Sequence, residues 1–570
     1  MHSTAADRVR YSPVMGTRGL FTPGFKEYLA KLHDEFAPRV LEIRTNRAMR
    51  LEKAHKIGVS TLQRPVTEIN TGDWRVPPVP EELKKPGIEI SGPASITGMF
   101  INALNPGPDG TRAEGDLDDD EDSAGHRLVD TVRAAYNRLH AIERTLTYYD
   151  PARDREYKIQ EGEIPFFMHR ERGLLLDEPQ VTVDGMPVSA AILGTALTLF
   201  FAGRAHIERG QGIYFYLPKL EYAEEAAFWR DFFDASRRHL GYPDDAVIKA
   251  IVLVESLPAV YEMEDMLHAL GPYAAGLNAA RWDLKASTLE FIMADPDSVW
   301  PDRFGVDIKT TEFIANIFRR LVAVCLKRGA VPIGGMATAL PSRDEEVNQA
   351  AARSIKADKE WEARQGFLRG WVAHIFHMKA AADPFKEWWG TGWQPTPEMR
   401  DPDNYPVKIE VPEGPITVGG TRRNARTLIE YVEGWLNGRG AKGIDSLAGK
   451  PGVHPALMED LATARISVAQ MAQRILHKAR DTETGEVHDL ALVKGLLLEE
   501  VADILTQLSD TVDRGNAKAV EAYDEAEVRY RKAVKISMLW TKNYTELNFR
   551  SLGSYTRENL DEIGTAPDAI

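Results

Sequence analysis

The feature that most constrains the fold is a rhythm. Between residues 89 and 380, short apolar runs alternate with stretches of helical period. The runs that read as strands are MFINAL (99–104), a more polar TRAEGDL (111–117), PFFMH (165–169), IYFYL (213–217), AIVLVE (250–255), YAAGLN (273–278), AVPIGG (330–335) and GWVAH (370–374). Most are apolar throughout, as in a parallel sheet covered on both faces. Between many of them lie amphipathic stretches such as EEAAFWRDFFDASRRHL (224–240). Parallel strands need long crossovers, and helices of this length supply them. Eight strands at this spacing predict an α/β fold of the (β/α)8 barrel type.

The flanks follow a different pattern. Phe25, Tyr28, Leu29 and Leu32 recur at helical spacing and predict a helix over 24–58. The Pro-rich VPPVPEELKKPG (76–87) reads as an extended connection, so 1–88 is an N-terminal helical clasp and linker, and 89–380 the barrel. The stretch from ADPFKEWWGTGW onward is rich in Pro, Gly and Trp, so 381–420 reads as a second linker. Residues 421–570 read as a helical C-terminal domain, with helices at 422–437, 455–478, 489–510 and 515–547.

Charge and cysteine content narrow the function. Lys plus Arg number 70 and Asp plus Glu 85, a net charge of −15. That balance argues against nucleic acid as a partner, because polyanion binding needs basic patches. The single cysteine, Cys325, allows neither an intrachain disulfide nor a multi-cysteine zinc site. Its context, LVAVCLKRG, reads as a buried helix face. No run of about 18 apolar residues is evident and the N-terminus has no signal-peptide core, so a soluble, cytoplasmic chain without a membrane partner is expected. The terminal PDAI is not a Ser-Lys-Leu-type address. GRGAKG (438–443) matches a dinucleotide-loop pattern but follows a helical stretch, so it reads as a helix stop. DLDDDED (116–122) has two readings: a solvated acidic loop, or a carboxylate-rich strand end near a metal.

Two further acids stand out by position. Glu255 closes AIVLVE, and Asp283 lies just beyond YAAGLN. If both runs are barrel strands, both carboxylates sit at the C-terminal mouth, where barrel active sites lie. Carboxylates without nearby Cys or His suit a hard cation such as Mg²⁺.

The block LVESLPAVYEMEDMLHALGPYAAGLNAARWD (253–283) closely resembles the malate synthases of the shorter A type. Further stretches agree in order: ISGPASITGMFINALN (90–105), GIYFYLPKLEYAEEAAFW (212–229), KRGAVPIGGMATALPSRDEE (327–346), RNARTLIEYVEGWLNGRG (423–440) and ALMEDLATARIS (456–467). The resemblance implies condensation of acetyl-CoA with glyoxylate, then hydrolysis of the malyl thioester to malate and CoA, as in the glyoxylate cycle. It implies Mg²⁺ held by Glu255 and Asp283, and a glyoxylate carboxylate held in a Gly-Leu-Asn turn at Gly276, Leu277 and Asn278. It also implies Asp460 as the base for the acetyl methyl proton and Arg172 as the cation facing the enolate. The helical domain carrying Asp460 is then expected to cover the barrel mouth, in a monomer or small homo-oligomer.

Several signature positions depart from the family. Its Arg-Pro-Arg-Gly-Trp reads Arg170-Glu171-Arg172-Gly173-Leu174, placing an extra acid beside the expected catalytic arginine. Its Trp-x-Ala-His-Pro ends in Ile375. Its Ala-Asp-Phe-Glu-Asp strand end reads Gly115-Asp116-Leu117-Asp118-Asp119. Two alternatives therefore accompany the main reading: an acyl-CoA condensing enzyme or lyase using another 2-oxo acid, and a non-catalytic paralogue with a binding role.

Overall fold

The computed structural model describes residues 4–445, 455–549, 552–555 and 557–565; the terminal PDAI lies outside them. The chain divides into two compact units. Unit one comprises Met1–Arg50, Leu62–Arg281 and Ile317–Pro406; unit two comprises Leu51–Thr61, Trp282–Asn316 and Val407–Ile570.

Unit one is built on a closed parallel barrel. Its strands are β1 (Gly87–Gly92), β2 (Gly115–Asp119), β3 (Phe166–Arg170), β4 (Ile213–Leu217), β5 (Ile248–Val254), β6 (Ala274–Ala279), β7 (Val331–Ala337) and β8 (Arg369–Val372). β8 pairs with β1 and closes the ring. Helix α1 (Pro23–Ile57) lies at the N-terminus, as its apolar spacing predicts.

One strand differs from expectation. MFINAL is not a strand; it is most of helix α2 (Thr97–Leu104). Phe100, Ile101 and Leu104 lie on one side of that helix and bury with Ala141, Ile142 and Phe167. A six-residue apolar run fits either period, so tertiary packing decides it. The true first strand, GIEISG, is disguised by a charge. Glu89 points into the barrel, where Arg369 Nε (2.9 Å), Tyr216 OH (2.6 Å) and Trp371 Nε1 (3.1 Å) all donate to its carboxylate. These partners come from two other strands, β8 and β4, so a fully buried charge is satisfied at the barrel axis.

One apolar run is also longer than the sequence reading allowed. Ala190–Glu208 is long and apolar enough to cross a membrane, with mean hydropathy 1.4, yet 78% of that window is buried inside the protein. Its middle winds as a π-helical turn, Thr198–Gly203.

Unit two is mainly helical. Helix α3 (Leu128–Ile142) belongs to unit one, whereas α4 (Arg281–Ile292) begins on the last residue of unit one and runs into unit two. The remaining long helices are α5 (Val418–Leu436), α6 (Leu461–Leu476), α7 (Leu490–Thr511) and α8 (Ala517–Thr545), with α5 packed against the other three. The segment 282–316 is stitched to this bundle by polar side chains. Gln473 accepts from the Trp300 N–H (3.0 Å), Arg303 donates to Asn424 (2.8 Å), and Arg474 pairs with Asp302 (2.7 Å).

Candidate active site

The acidic run at the end of β2 is not solvated. Asp118 through Asp122 are each no more than 3% exposed. Burial of that many charges requires partners, and three cations supply them. Arg138 of α3 holds Asp118 (2.6 Å) and Asp120 (3.1 Å). Arg170, the last residue of β3, grips Asp119 with two 2.7 Å bonds and reaches Asp122 at 3.2 Å. Lys219 meets Glu121 (2.9 Å) and Asp122 (3.0 Å). Burial alone would raise the Asp119 carboxyl, but Arg170 overrides it and holds it well below the usual range. Burial pushes Asp120 well up despite Arg138, and pushes Glu121 up despite Lys219.

The end of β3 separates the two arginines of Arg170-Glu171-Arg172. Arg170 stacks 5.6 Å above the Trp371 ring inside the barrel and faces the carboxylates. Arg172 lies past the strand and pairs with Glu178 (2.8 Å) and Thr131 (3.0 Å). Glu171, the acid expected to alter the arginine's field, turns away from both. It accepts from Arg138 (2.8 Å) and from the Thr198 hydroxyl on the π-turn (2.5 Å). Gly194 makes room for it, since a Cβ there would lie 2.4 Å from Glu171 Oε2. The outward-facing His169 of β3 continues this network: its Nδ1 lies 2.7 Å from Asp118 and its Nε2 lies 3.2 Å from His206 Nε2.

Glu255 follows β5 directly and is 1% exposed. Its Oε1 accepts the Lys219 backbone N–H at 2.5 Å, with the Lys219 ammonium 3.8 Å away. Lys219 lies two residues past β4 in a left-handed conformation (φ 56°), and Arg47 donates to its carbonyl at 2.7 Å. Asp122, Lys219 and Glu255 thus meet at the C-terminal ends of β2, β4 and β5.

Gly276, Leu277 and Asn278 lie inside β6 rather than in an open turn. They pair with Ile251–Leu253 on one side and Val331–Ile333 on the other. Gly276 is needed for that fit, because a Cβ would lie 2.2 Å from the Val331 carbonyl. The barrel ladder therefore engages the backbone that the resemblance offers to a carboxylate. Asp283 is the third residue of α4, is buried, and pairs with Arg465 at 3.1 Å. Asp460 caps α6, accepting the Ala462 N–H at 3.0 Å. Its neighbour Glu459 is buried and pushed up by burial, with Arg303 pulling the other way. The sequence reading missed Arg170, Lys219 and the specific place of Asp122. Inward parity on β3 marks Arg170; nothing local marks Lys219.

Comparison with known proteins decides the family. The malate synthase TIM-barrel model matches residues 166–406, and the malate synthase C-terminal model matches 415–545. The chain belongs to the malate synthase family. The malate synthase of Streptomyces clavuligerus is 35% identical over 483 residues, covering 83% of this chain and 86% of that one. Malate synthase A of Escherichia coli is 32% identical over 517 residues, covering 89% and 92%. A solved Haloferax volcanii malate synthase, in a ternary complex with pyruvate and acetyl-CoA, covers 77% of this chain and 98% of its own, at 13% identity and TM-score 0.44. As a malate synthase, the chain is an enzyme, a transferase that condenses acetyl-CoA with glyoxylate.

Proposed function

We propose that this malate synthase works with Mg²⁺, held by Glu255 and Asp283 with Asp122 as a third carboxylate. The support is the donor set: Asp122 and Glu255 are buried around Lys219 at the strand ends, Asp283 is itself a buried carboxylate, and oxygen-only ligands favour a hard cation. When bound, Mg²⁺ would polarise the glyoxylate carbonyl as a Lewis acid.

The residues then divide the work. Asp460 removes a methyl proton from acetyl-CoA. A guanidinium faces the thioester oxygen and stabilises the enolate as it forms. The resemblance offers Arg172 for this role; the geometry favours Arg170, which faces the barrel interior while Arg172 is engaged by Glu178. The enolate carbon bonds to the glyoxylate aldehyde carbon, and water then cleaves the malyl thioester to release malate and CoA. The strand segment Gly276–Asn278 serves as a wall of the oxo-acid site.

The observation that carries this reading is the meeting of Asp122, Glu255, Arg170 and Lys219 at the barrel's strand ends. The test is thiol release from acetyl-CoA with glyoxylate and Mg²⁺, omitting each component in turn. Release should require all three. Asp460→Asn should lower kcat by about 10³-fold or more, as loss of a general base does. Arg170→Lys should cost more than Arg172→Lys. Release without Mg²⁺, or full activity in Asp460→Asn, would overturn these assignments.

A further inference from the structure

The nest at the strand ends is out of charge balance. Four of its buried carboxylates, Asp119, Glu121, Asp122 and Glu255, stand against two buried cations, Arg170 and Lys219. The two cations are placed differently. Arg170 is committed to Asp119 by a bidentate grip. Lys219 is shared: its ammonium lies 2.9 Å from Glu121, 3.0 Å from Asp122 and 3.8 Å from Glu255. An ammonium ringed by three carboxylate groups is a cation in a cation site, and two of those groups, Asp122 and Glu255, are proposed metal ligands.

Its backbone is fixed for this position. Lys219 takes a left-handed φ of 56°, a conformation that disfavours a side-chain-bearing residue and persists where its surroundings impose it. Glu255 holds its N–H and Arg47 holds its carbonyl. The side chain, by contrast, is an unbranched stem ending in a compact point charge. The anchor is rigid and the charge can move.

We propose that Lys219 is a built-in stand-in for the divalent metal. Without metal, its ammonium neutralises Asp122 and Glu255 and lets the site fold. Metal entry takes those oxygens and shifts the ammonium towards Glu121. Lys219 therefore competes with the metal and weakens its binding, while keeping the empty site intact. This inference rests on the Mg²⁺ reading above.

The test is metal binding without substrates, read by calorimetry with Mg²⁺ alone on the full chain. Lys219→Met removes the competing charge and keeps the stem. It should bind Mg²⁺ about tenfold more tightly than the parent, because a competing cation has gone from a buried anionic site. Its melting temperature without metal should fall, and Mg²⁺ should raise it by more than in the parent. Lys219→Arg, which keeps the charge, should bind like the parent. Equal or weaker binding by a folded Lys219→Met overturns the proposal and leaves the metal reading standing. No Mg²⁺ binding by the parent or either variant sinks both. If Lys219→Met is unfolded without metal, folding on Mg²⁺ addition supports the proposal. Failure to fold with Mg²⁺ shows a purely structural lysine and overturns it.

Discussion

The acidic strand end at 118–122 and the outer face of α5 and α7 carry the same charge types in opposite settings. At the end of β2, five successive carboxylates are buried and divided among Arg138, Arg170 and Lys219. In unit two, Arg422 bridges Glu499 (2.6 Å) and Glu500 (3.0 Å), and Arg426 reaches Asp503 (2.8 Å). The Arg422 and Glu499 side chains are 41% and 63% exposed. Water already solvates the Arg422–Glu499 pair, so that pair adds little. At the strand end every lost partner strands a charge that water cannot reach. The two regions look alike as text and differ in what a single substitution does.

The comparison is most easily broken at Arg138. This arginine serves Asp118, Asp120 and Glu171 together, and is 1% exposed. Arg138→Met should destabilise the protein by about 3–5 kcal/mol, the usual cost of leaving a buried charge unpaired. A urea midpoint measures it. Adding Glu171→Leu to Arg138→Met should restore part of the loss, because one stranded carboxylate is then gone. A loss below about 1 kcal/mol would mean that the strand end is solvated after all.

A second effect separates the regions by pH. His206 is buried against His169, and burial lowers its pKa from 6.5 to about 3. The unfolded chain takes a proton there below pH 6.5, while the folded chain resists until about pH 3. Stability from this group is therefore complete above pH 6.5 and falls as pH drops through that window. By about pH 5.5 the loss should be on the order of 1 kcal/mol. Urea midpoints between those limits should slope less in His206→Gln than in the parent. Equal slopes would show that His206 is not the sensor.

How far the sequence reveals this depends on which scale carries the signal. Seven of the eight barrel strands are legible because apolar runs and helical spacers persist over hundreds of residues. The first is not, because Glu89 breaks its apolar pattern and its partners Arg369 and Tyr216 are distant in sequence. Glu255 is legible as a strand-end acid, and DLDDDED as a carboxylate-rich one. Lys219 is not, since its role depends on contacts with Asp122 and Glu255, 97 and 36 residues away. Glu171 misleads for the same reason. Beside two arginines in sequence, it bonds instead to Arg138 and Thr198.

The smallest effect sharpens the comparison from the other side. Arg422 on α5 meets two acids of α7, so the geometry looks as rich as at the strand end. Exposure argues otherwise: Arg422 and Glu499 keep water when their contact breaks, and the more buried Glu500 keeps Arg426 at 3.2 Å. Arg422→Ala should cost about 0–1 kcal/mol, and that cost should shrink further in about 1 M salt, where the screening length falls to about 3 Å. Arg138→Met measured in the same salt should keep nearly its full penalty, because ions do not enter the buried nest. The informative quantity is the ratio of the two losses in low and high salt. A ratio that grows with salt confirms that burial, rather than the number of pairs, separates the regions. A constant ratio would place both networks in the same dielectric and remove the distinction.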